Sequence, residues 1–171
     1  DGRRVTLFCS EPPALPALMA QADAHWLVTP GRAAAASAGL PLAPGASRHW
    51  LPALPQREFD HLLWASDLNL VRGEDSLVRA LWAGQPFVWQ IYPQHDNAHH
   101  DKLWAFLDWL QAPASLRQFH ATWNGLDTAP LQRPDDNTLA EWAACTQAAR
   151  ARLLMQDNLV AQLLGFVAEK R

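Results

Sequence analysis

DLNLVRGEDSLVRALWAGQPFVW, residues 67–89, is organised as a strand, a tight turn, a short helix and the beginning of a second strand. Leu68–Val71 is a mainly apolar run between polar breaks, which is typical of a short buried strand. Arg72 ends that strand. Gly73 can adopt a positive φ at little cost and lets another group approach the backbone closely. The strand is therefore expected to pass into a sharp turn.

The helix of this unit is bounded by residues with strong terminal preferences. Ser76 is a good N-cap, so we expect the helix to begin there and to run to about Ala83. Gly84 stands where a C′ glycine is favoured, and Pro86 prevents continuation. Phe87–Tyr92 is rich in β-forming residues and predicts the second strand, which completes a βαβ unit.

The turn before this helix carries residues suited to a nucleotide diphosphate. A βαβ unit places a helix N-terminus at the carboxyl end of a strand, where free N–H groups and the helix dipole favour an anion. Arg72 offers charge for phosphate, and Glu74 and Asp75 can bind sugar hydroxyls. The pattern leaves an alternative open, namely a surface turn in which Arg72 and Asp75 form an ion pair beside a helix capped by Ser76.

The rest of the chain alternates strands and helices and then becomes helical. Strands are predicted at Arg4–Cys9, His25–Thr29 and Ser47–Leu51, the first of them central, with helices at about 12–24, 30–38 and 56–64. Further helices are predicted at 101–110, 115–125, 138–156 and from 157, with Ser115, Thr138 and Asp157 as N-caps. This order predicts an α/β fold, a Rossmann-like parallel sheet with helices on both faces and a helical C-terminal region.

Composition excludes several classes of protein. A net charge of −3 gives no basic excess for nucleic-acid binding, and no apolar run reaches the roughly 18 residues of a membrane span. A length of 171 residues suits one domain with a full core, where most of the nine Trp residues are expected. Cys9 and Cys145 are expected to be buried, reduced thiols, as is usual in the cytoplasm.

The segment LLWASDLNLVRGEDSLVRALWAGQPFVWQIYPQ, Leu62 to Gln94, resembles the signature region of the EarP family, the protein-arginine rhamnosyltransferases that modify bacterial elongation factor P. The likeness extends more weakly from Val5 to about Leu110. It implies a GT-B glycosyltransferase that transfers L-rhamnose with inversion from dTDP-L-rhamnose to an arginine of elongation factor P. No cofactor and no metal are implied beyond this donor substrate.

The resemblance also implies that the chain holds only part of such an enzyme. A GT-B enzyme has two Rossmann-like domains with the active site between them, and 171 residues accommodate one. The aspartate regarded as the family's catalytic base lies near the start of the N-terminal domain and has no counterpart here. Residues 1–171 are therefore expected to be the C-terminal, nucleotide-sugar-binding domain, cytoplasmic and inactive alone, with elongation factor P held mostly by the missing domain.

By the same resemblance, the thymine base contacts the loop and helix after residue 52. Gln56 would pair with the edge of the pyrimidine, and Phe59 would stack on its face. Ala53 departs from the family pattern, which has Phe at this position, so one of the family's stacking rings is absent here. From periodicity alone, a core-facing helix position explains Phe59 better than a binding role does, and the alternative for Gln56 is an exposed helix start.

The remaining site residues implied by the resemblance surround the RGEDS turn. Arg72 would neutralise the departing diphosphate and is a catalytic candidate. Glu74, the second catalytic candidate, would orient the donor sugar or the ribose. Asp75 and Ser76 would present backbone N–H groups and a hydroxyl to the phosphates, and Tyr92 would offer its own hydroxyl.

Two other groups of polar residues are weaker candidates. Ser10 and Glu11 follow the first strand, at the edge where α/β sheets bind ligands, but a plain helix start explains them better. Some of the residues His95, Asp96, His99, His100 and Asp101 are spaced i, i+4, as metal ligands can be. They are better explained as the polar start of the next helix.

Two other functions remain open. Another GT-B or epimerase-type nucleotide-sugar enzyme would share the general pattern and prefer uridine nucleotides. A non-enzymatic binding domain on a Rossmann-like scaffold would bind a protein partner instead. A dinucleotide-dependent dehydrogenase is disfavoured, because no G-x-G-x-x-G follows the first strand. The last, apolar helix either crosses to another domain or covers the sheet.

Overall fold

The computed structural model describes residues 2–93 and 98–170. Within these ranges the strands are β1 (Arg3–Leu7), β2 (Ala24–Val28), β3 (Ser47–Trp50), β4 (Leu68–Arg72) and β5 (Phe87–Gln90). The helices are α1 (Leu15–Gln21), α2 (Arg32–Ser37), α3 (Gln56–Ala65), α4 (Gly73–Ala83), α5 (Ala98–Leu110), α6 (Ala114–Trp123), α7 (Asp136–Leu154) and α8 (Leu159–Glu169). Elements alternate up to β5, and only helices follow it in the described ranges.

The strands pair in parallel in the order β3-β2-β1-β4-β5. β1 is central, as predicted, and the direction of winding reverses between β1 and β4. Because crossover connections are right-handed, α1 and α2 cover one face of the sheet, while α3 and α4, which pack on each other, cover the other. The predicted parallel α/β sheet flanked by helices is confirmed.

The tryptophans divide between the core and the surface. Trp26, Trp89, Trp123 and Trp142 are fully buried among the aliphatic residues of the strands. The other five, Trp50, Trp64, Trp82, Trp104 and Trp109, are each at least 36% exposed, so the prediction that most Trp residues lie in the core is wrong. Several of the exposed rings contact charged or polar neighbours, such as Arg48 over Trp50 and Arg152 over Trp109.

Four predicted N-caps are wrong. The residues at the N-cap positions of α4, α6, α7 and α8 are Arg72, Pro113, Asp135 and Asn158, and not Ser76, Ser115, Thr138 and Asp157. Asp135 and Asn158 accept the backbone N–H groups of Thr138 and Ala161. Ser115 is used in a contact between α6 and α7 instead. It donates to Glu141 and accepts from Trp142 Nε1.

The outer edge of β5 is covered by side chains from α6 and from its C-cap residue, Asn124. His120 Nε2 accepts the N–H of Trp89 at 3.0 Å, and Asn124 Oδ1 accepts the N–H of Ile91 at 2.9 Å. Asn124 Nδ2 donates to the carbonyl of Trp89 at 3.0 Å. His120 Nδ1 donates to the carbonyl of Leu116, and complete burial lowers the pKa of His120 to about 4. Two side chains one helical turn apart thus replace a neighbouring strand.

The last helix, α8, does not cover the sheet. None of its residues is buried, and large apolar side chains such as Leu164 and Phe166 are more than half exposed. Of the two arrangements left open by the sequence, packing on the sheet is therefore excluded. Within the described ranges, no helix is both long enough and apolar enough to cross a lipid bilayer.

Candidate functional site

The candidate site lies at the carboxyl ends of β1 and β4, where the strand order reverses and open α/β sheets bind their ligands. Arg72 ends β4, and its Nη1 donates to Oγ of Ser10, which follows β1, at 3.1 Å. The guanidinium carbon of Arg72 lies 5.0 Å from the centre of the Phe8 ring. Arg72 Nε is buried and has no hydrogen-bond partner among the described residues. Arg72 therefore presents charge and an unused donor at the switch point.

The turn from β4 into α4 depends on Gly73. Its φ of +71° lets the chain pass from strand to helix within one residue, so α4 begins before Ser76. A Cβ atom at residue 73 would lie 2.9 Å from the Tyr92 hydroxyl oxygen. Tyr92 thus packs against the turn while remaining 46% exposed. The close approach expected at Gly73 is confirmed, and it brings Tyr92 beside Arg72.

The acidic residues of the turn already have basic partners. Glu74 Oε1 accepts from Lys102 Nζ at 2.8 Å, and this hydrogen bond holds the pKa of Glu74 below its usual range. Asp75 Oδ2 accepts from Arg79 Nε at 2.8 Å, so the alternative in which Asp75 pairs with Arg72 is wrong. Both acidic side chains are exposed, whereas Ser76 is buried in the first turn of α4. An ionised Glu74 can accept hydrogen bonds from sugar hydroxyls.

A pocket of about 190 Å³ is lined by Phe8 together with Thr29, Pro30, Pro52, Ala53, Leu54 and Phe59. The Phe8 and Phe59 rings meet edge to face, with centroids 5.2 Å apart. Phe59 packs against the core, as its helix position predicted, and it also lines the pocket, so its stacking role stays a prediction. Gln56 is exposed one turn before Phe59 and hence lies on the same side of α3. The predicted base-binding residues are therefore grouped next to Arg72.

Three residues of the site were missed by sequence reasoning: Phe8, Arg32 and Gln90. Phe8 joins Arg72 to the aromatic pocket. Gln90 Oε1 accepts the N–H of Ser10 at 2.7 Å, and Arg32 Nη1 donates to Ser10 Oγ at 3.4 Å. Phe8 and Gln90 stand at the carboxyl ends of parallel strands, and that position is the signal that could have identified them. Ser10, a weaker candidate, lies at the centre of the cluster, while Glu11 is exposed at its border.

The two cysteines are free thiols, as predicted, but only Cys9 is fully buried. Burial raises the pKa of Cys9 to about 12, even though Arg72 nearby acts in the opposite direction. Cys145 is only partly buried, and burial also raises its pKa. A buried, protonated thiol is a poor nucleophile, which fits Cys9 as a core residue beneath the site.

The histidine-rich segment provides no metal site among the described residues. His95 and Asp96 lie outside those residues. Asp101 stands in the first turn of α5, as predicted for a polar helix start, and the rings of His99 and His100 are 4.1 Å apart. Within residues 2–93 and 98–170, no group of three or more His, Cys, Asp or Glu side chains is placed to hold a metal ion.

The profile of the family described as Elongation-Factor P (EF-P) rhamnosyltransferase EarP matches residues 1–168. The chain belongs to the EarP family. Relatives named protein-arginine rhamnosyltransferase from Pseudomonas aeruginosa and Pseudomonas putida are each 42% identical to it over 126 residues. These alignments cover 70% and 68% of this chain but only 34% and 33% of the two relatives. This EarP chain thus spans about a third of the length of the curated relatives it matches.

A solved structure described as "Structural basis for EarP-mediated arginine glycosylation of translation elongation factor EF-P" has the same fold. It superposes with a TM-score of 0.78 at 32% sequence identity and covers 99% of this chain and 61% of that chain. The likeness to EarP therefore includes the C-terminal helices, beyond the region from Val5 to about Leu110 where the sequence alone indicated it.

Proposed function

We propose that residues 1–171 form the donor-binding domain of an enzyme that transfers L-rhamnose from dTDP-L-rhamnose to an arginine of elongation factor P. One observation carries the proposal. In a chain of the EarP family, Arg72 and the Phe8–Phe59 pocket lie side by side at the switch point of the sheet. A cation next to an aromatic pocket suits a nucleoside diphosphate, whose base is flat and apolar on its faces and whose phosphates are anionic.

The nucleoside end of the donor would occupy the pocket. Phe8 and Phe59 supply aromatic surface for thymine, and the Gln56 amide can both donate to and accept from its edge. Ala53 lines the same pocket without filling it, so one face of the base has less aromatic contact than a phenylalanine would give.

The diphosphate would lie over the start of α4. The first turn of a helix has backbone N–H groups without intrahelical partners, here including that of Asp75, and these attract phosphate oxygens. Ser76 contributes its hydroxyl from the same turn. Arg72 and the Tyr92 hydroxyl flank the turn and add a charge and a donor.

In the reaction, a guanidinium nitrogen of the acceptor arginine attacks C1 of the rhamnose. The bond from C1 to the diphosphate oxygen breaks, the electron pair leaves with the diphosphate, and the nitrogen loses a proton to a base. Arg72 stabilises charge that grows on the leaving oxygen, and only such a growing interaction lowers the barrier. Glu74 orients the sugar through its hydroxyls.

The other requirements of the reaction fall outside this chain. The catalytic base and most contacts with elongation factor P belong to the rest of the enzyme, and neither a metal nor a cofactor takes part. Because the acceptor is a translation factor, the enzyme works in the cytoplasm.

The test is a transfer assay with purified elongation factor P and dTDP-L-rhamnose, followed by mass spectrometry of the acceptor. The complete enzyme is expected to add one rhamnose to one arginine, and this chain alone is expected to add none. A UDP-linked sugar serves as the comparison donor. Absence of transfer by the complete enzyme, or a preference for the UDP donor, would contradict the proposed activity. Turnover by the isolated chain would contradict the assignment of the base to the missing part.

A further inference from the structure

Two arginines from different parts of the chain converge on a single hydroxyl. Ser10 Oγ accepts from Arg72 Nη1 at 3.1 Å and from Arg32 Nη1 at 3.4 Å. Arg32 begins α2, which follows β2, and Arg72 ends β4, so the two cations come from the elements on either side of β1. The N–H of Ser10 is bound to Gln90 Oε1 at 2.7 Å, which fixes the loop between them.

This arrangement has uncompensated positive charge. Neither Arg32 nor Arg72 is within ion-pair distance of a carboxylate in residues 2–93 and 98–170, whereas Arg79 is paired with both Asp60 and Asp75. Like charges that share one neutral acceptor repel each other, and burial of part of Arg72 strengthens that repulsion. Arg72 Nε is also buried without a partner in the described residues. An anion bound between the two guanidinium groups would neutralise their repulsion and could accept a hydrogen bond from Arg72 Nε.

The position of Arg32 indicates which part of a ligand it meets. Thr29 and Pro30, which line the aromatic pocket, precede Arg32 by only a few residues. Arg72 reaches the same Ser10 hydroxyl from the start of α4, the turn over which the diphosphate is proposed to lie. A nucleotide with its base in the pocket and its chain of phosphates directed toward α4 would therefore pass Arg32 first and Arg72 second.

We propose that Arg32 and Ser10 form a phosphate subsite of the donor, in which Arg32 binds the phosphate next to the nucleoside and Arg72 binds the phosphate that carries the sugar. The inference rests on the proposed function, since it assumes a nucleoside diphosphate in this orientation. It assigns a binding role to a residue on the β2 side of the switch point, which lies 40 positions from Arg72 in the sequence.

The experiment compares dTMP and dTDP binding to this chain by calorimetry, for the wild type and for Arg32→Gln, Arg32→Lys and Arg72→Ala. Arg32→Gln is expected to weaken both nucleotides by a similar factor, about fivefold, because both carry the first phosphate. Arg72→Ala is expected to weaken dTDP far more than dTMP. Arg32→Lys, which keeps the charge, is expected to recover part of the loss.

The matched control is Arg57→Gln, which removes an exposed arginine from the first turn of α3, next to Gln56. If only net charge mattered, Arg57→Gln would weaken binding as much as Arg32→Gln, and that result would overturn the subsite. Wild-type affinity for both nucleotides in a folded Arg32→Gln variant would also overturn it, with the proposed function intact. Failure of the wild type to bind dTDP at millimolar concentration would instead contradict the proposed function and the inference that depends on it.

Discussion

Polar groups are hydrogen-bonded at the outer edge of β5 but partly without partners at the switch point between β1 and β4. At the β5 edge, the backbone N–H groups of Trp89 and Ile91 and the carbonyl of Trp89 are all bound by His120 and Asn124. At the switch point, Arg72 has no carboxylate partner among the described residues and its Nε is unsatisfied. Hydrogen-bonded polar groups stabilise a fold, whereas a buried polar group without a partner is able to bind a ligand. We therefore expect substitutions at the switch point to lower activity or binding, and substitutions at the β5 edge to lower the free energy of unfolding.

The largest expected effect is on catalysis. In the complete enzyme, Arg72→Ala should lower kcat by about 100-fold or more, because one preorganised charge at the leaving group is lost. The melting temperature should change little. Arg117→Ala is the matched control, since it removes an arginine that is already paired with Asp108. An unchanged kcat in Arg72→Ala would contradict the proposed role of Arg72 at the leaving group.

Acid should destabilise the protein through His120. The pKa of this residue is about 4 when folded and 6.5 when it is free, so the unfolded chain takes up the proton first. Stability is therefore full above pH 6.5 and falls as pH drops toward 4, by about 3 kcal/mol for this group. Urea unfolding across this range measures the slope. His120→Gln, which does not titrate, should show a shallower slope, and an equally steep slope in this variant would contradict the assignment.

Asn124→Ala should cost about 2 kcal/mol of unfolding free energy, because it leaves an N–H and a C=O at the β5 edge without partners. Asn137→Ala is the control, as Asn137 is an exposed residue in the first turn of α7. Chemical denaturation of both variants gives the difference. Equal stability would mean that solvent satisfies the β5 edge as well as Asn124 does.

The smallest expected effect concerns the aromatic pocket. Ala53→Phe should tighten dTDP binding by about threefold, since a third ring would be available to the base beside Phe8 and Phe59. Calorimetric titration of this variant and of Ala53→Leu separates aromatic stacking from simple filling of the pocket. Tighter binding by both variants to the same degree would favour filling, and weaker binding by Ala53→Phe would show that the ring blocks the site.

The sequence predicted local structure correctly where a residue type strongly favours one backbone conformation, as glycine does at positive φ. Gly84 takes the left-handed conformation with φ of +74° at the end of α4, and Gly73 takes φ of +71° at its start. The N-cap predictions failed for two reasons: α4 and α6 begin without a side-chain cap, whereas Asp135 and Asn158, rather than Thr138 and Asp157, cap α7 and α8. A residue of a capping type can be used in a tertiary contact instead. Ser115 and Glu141, for example, bind each other across two helices.

The candidate site was predicted in part for the same reason. Arg72, Glu74 and Asp75 stand in one turn and could be recognised together. Ser10, Arg32 and Gln90 instead stand after β1, at the start of α2 and at the end of β5. Their meeting depends on the strand order, which places β1 between β2 and β4. The alternation of strands and helices predicts a parallel sheet but leaves the order of its strands undetermined.

We propose above that the switch point of this chain binds a thymidine diphosphate. The most direct test records amide chemical shifts of the labelled chain during titration with dTDP, with UDP as the comparison. Shifts centred on Gln56, on Arg72 to Ser76 and on Tyr92, larger for dTDP than for UDP, are the predicted result. Larger shifts with UDP, or shifts confined to the β5 edge around Asn124, would contradict the account.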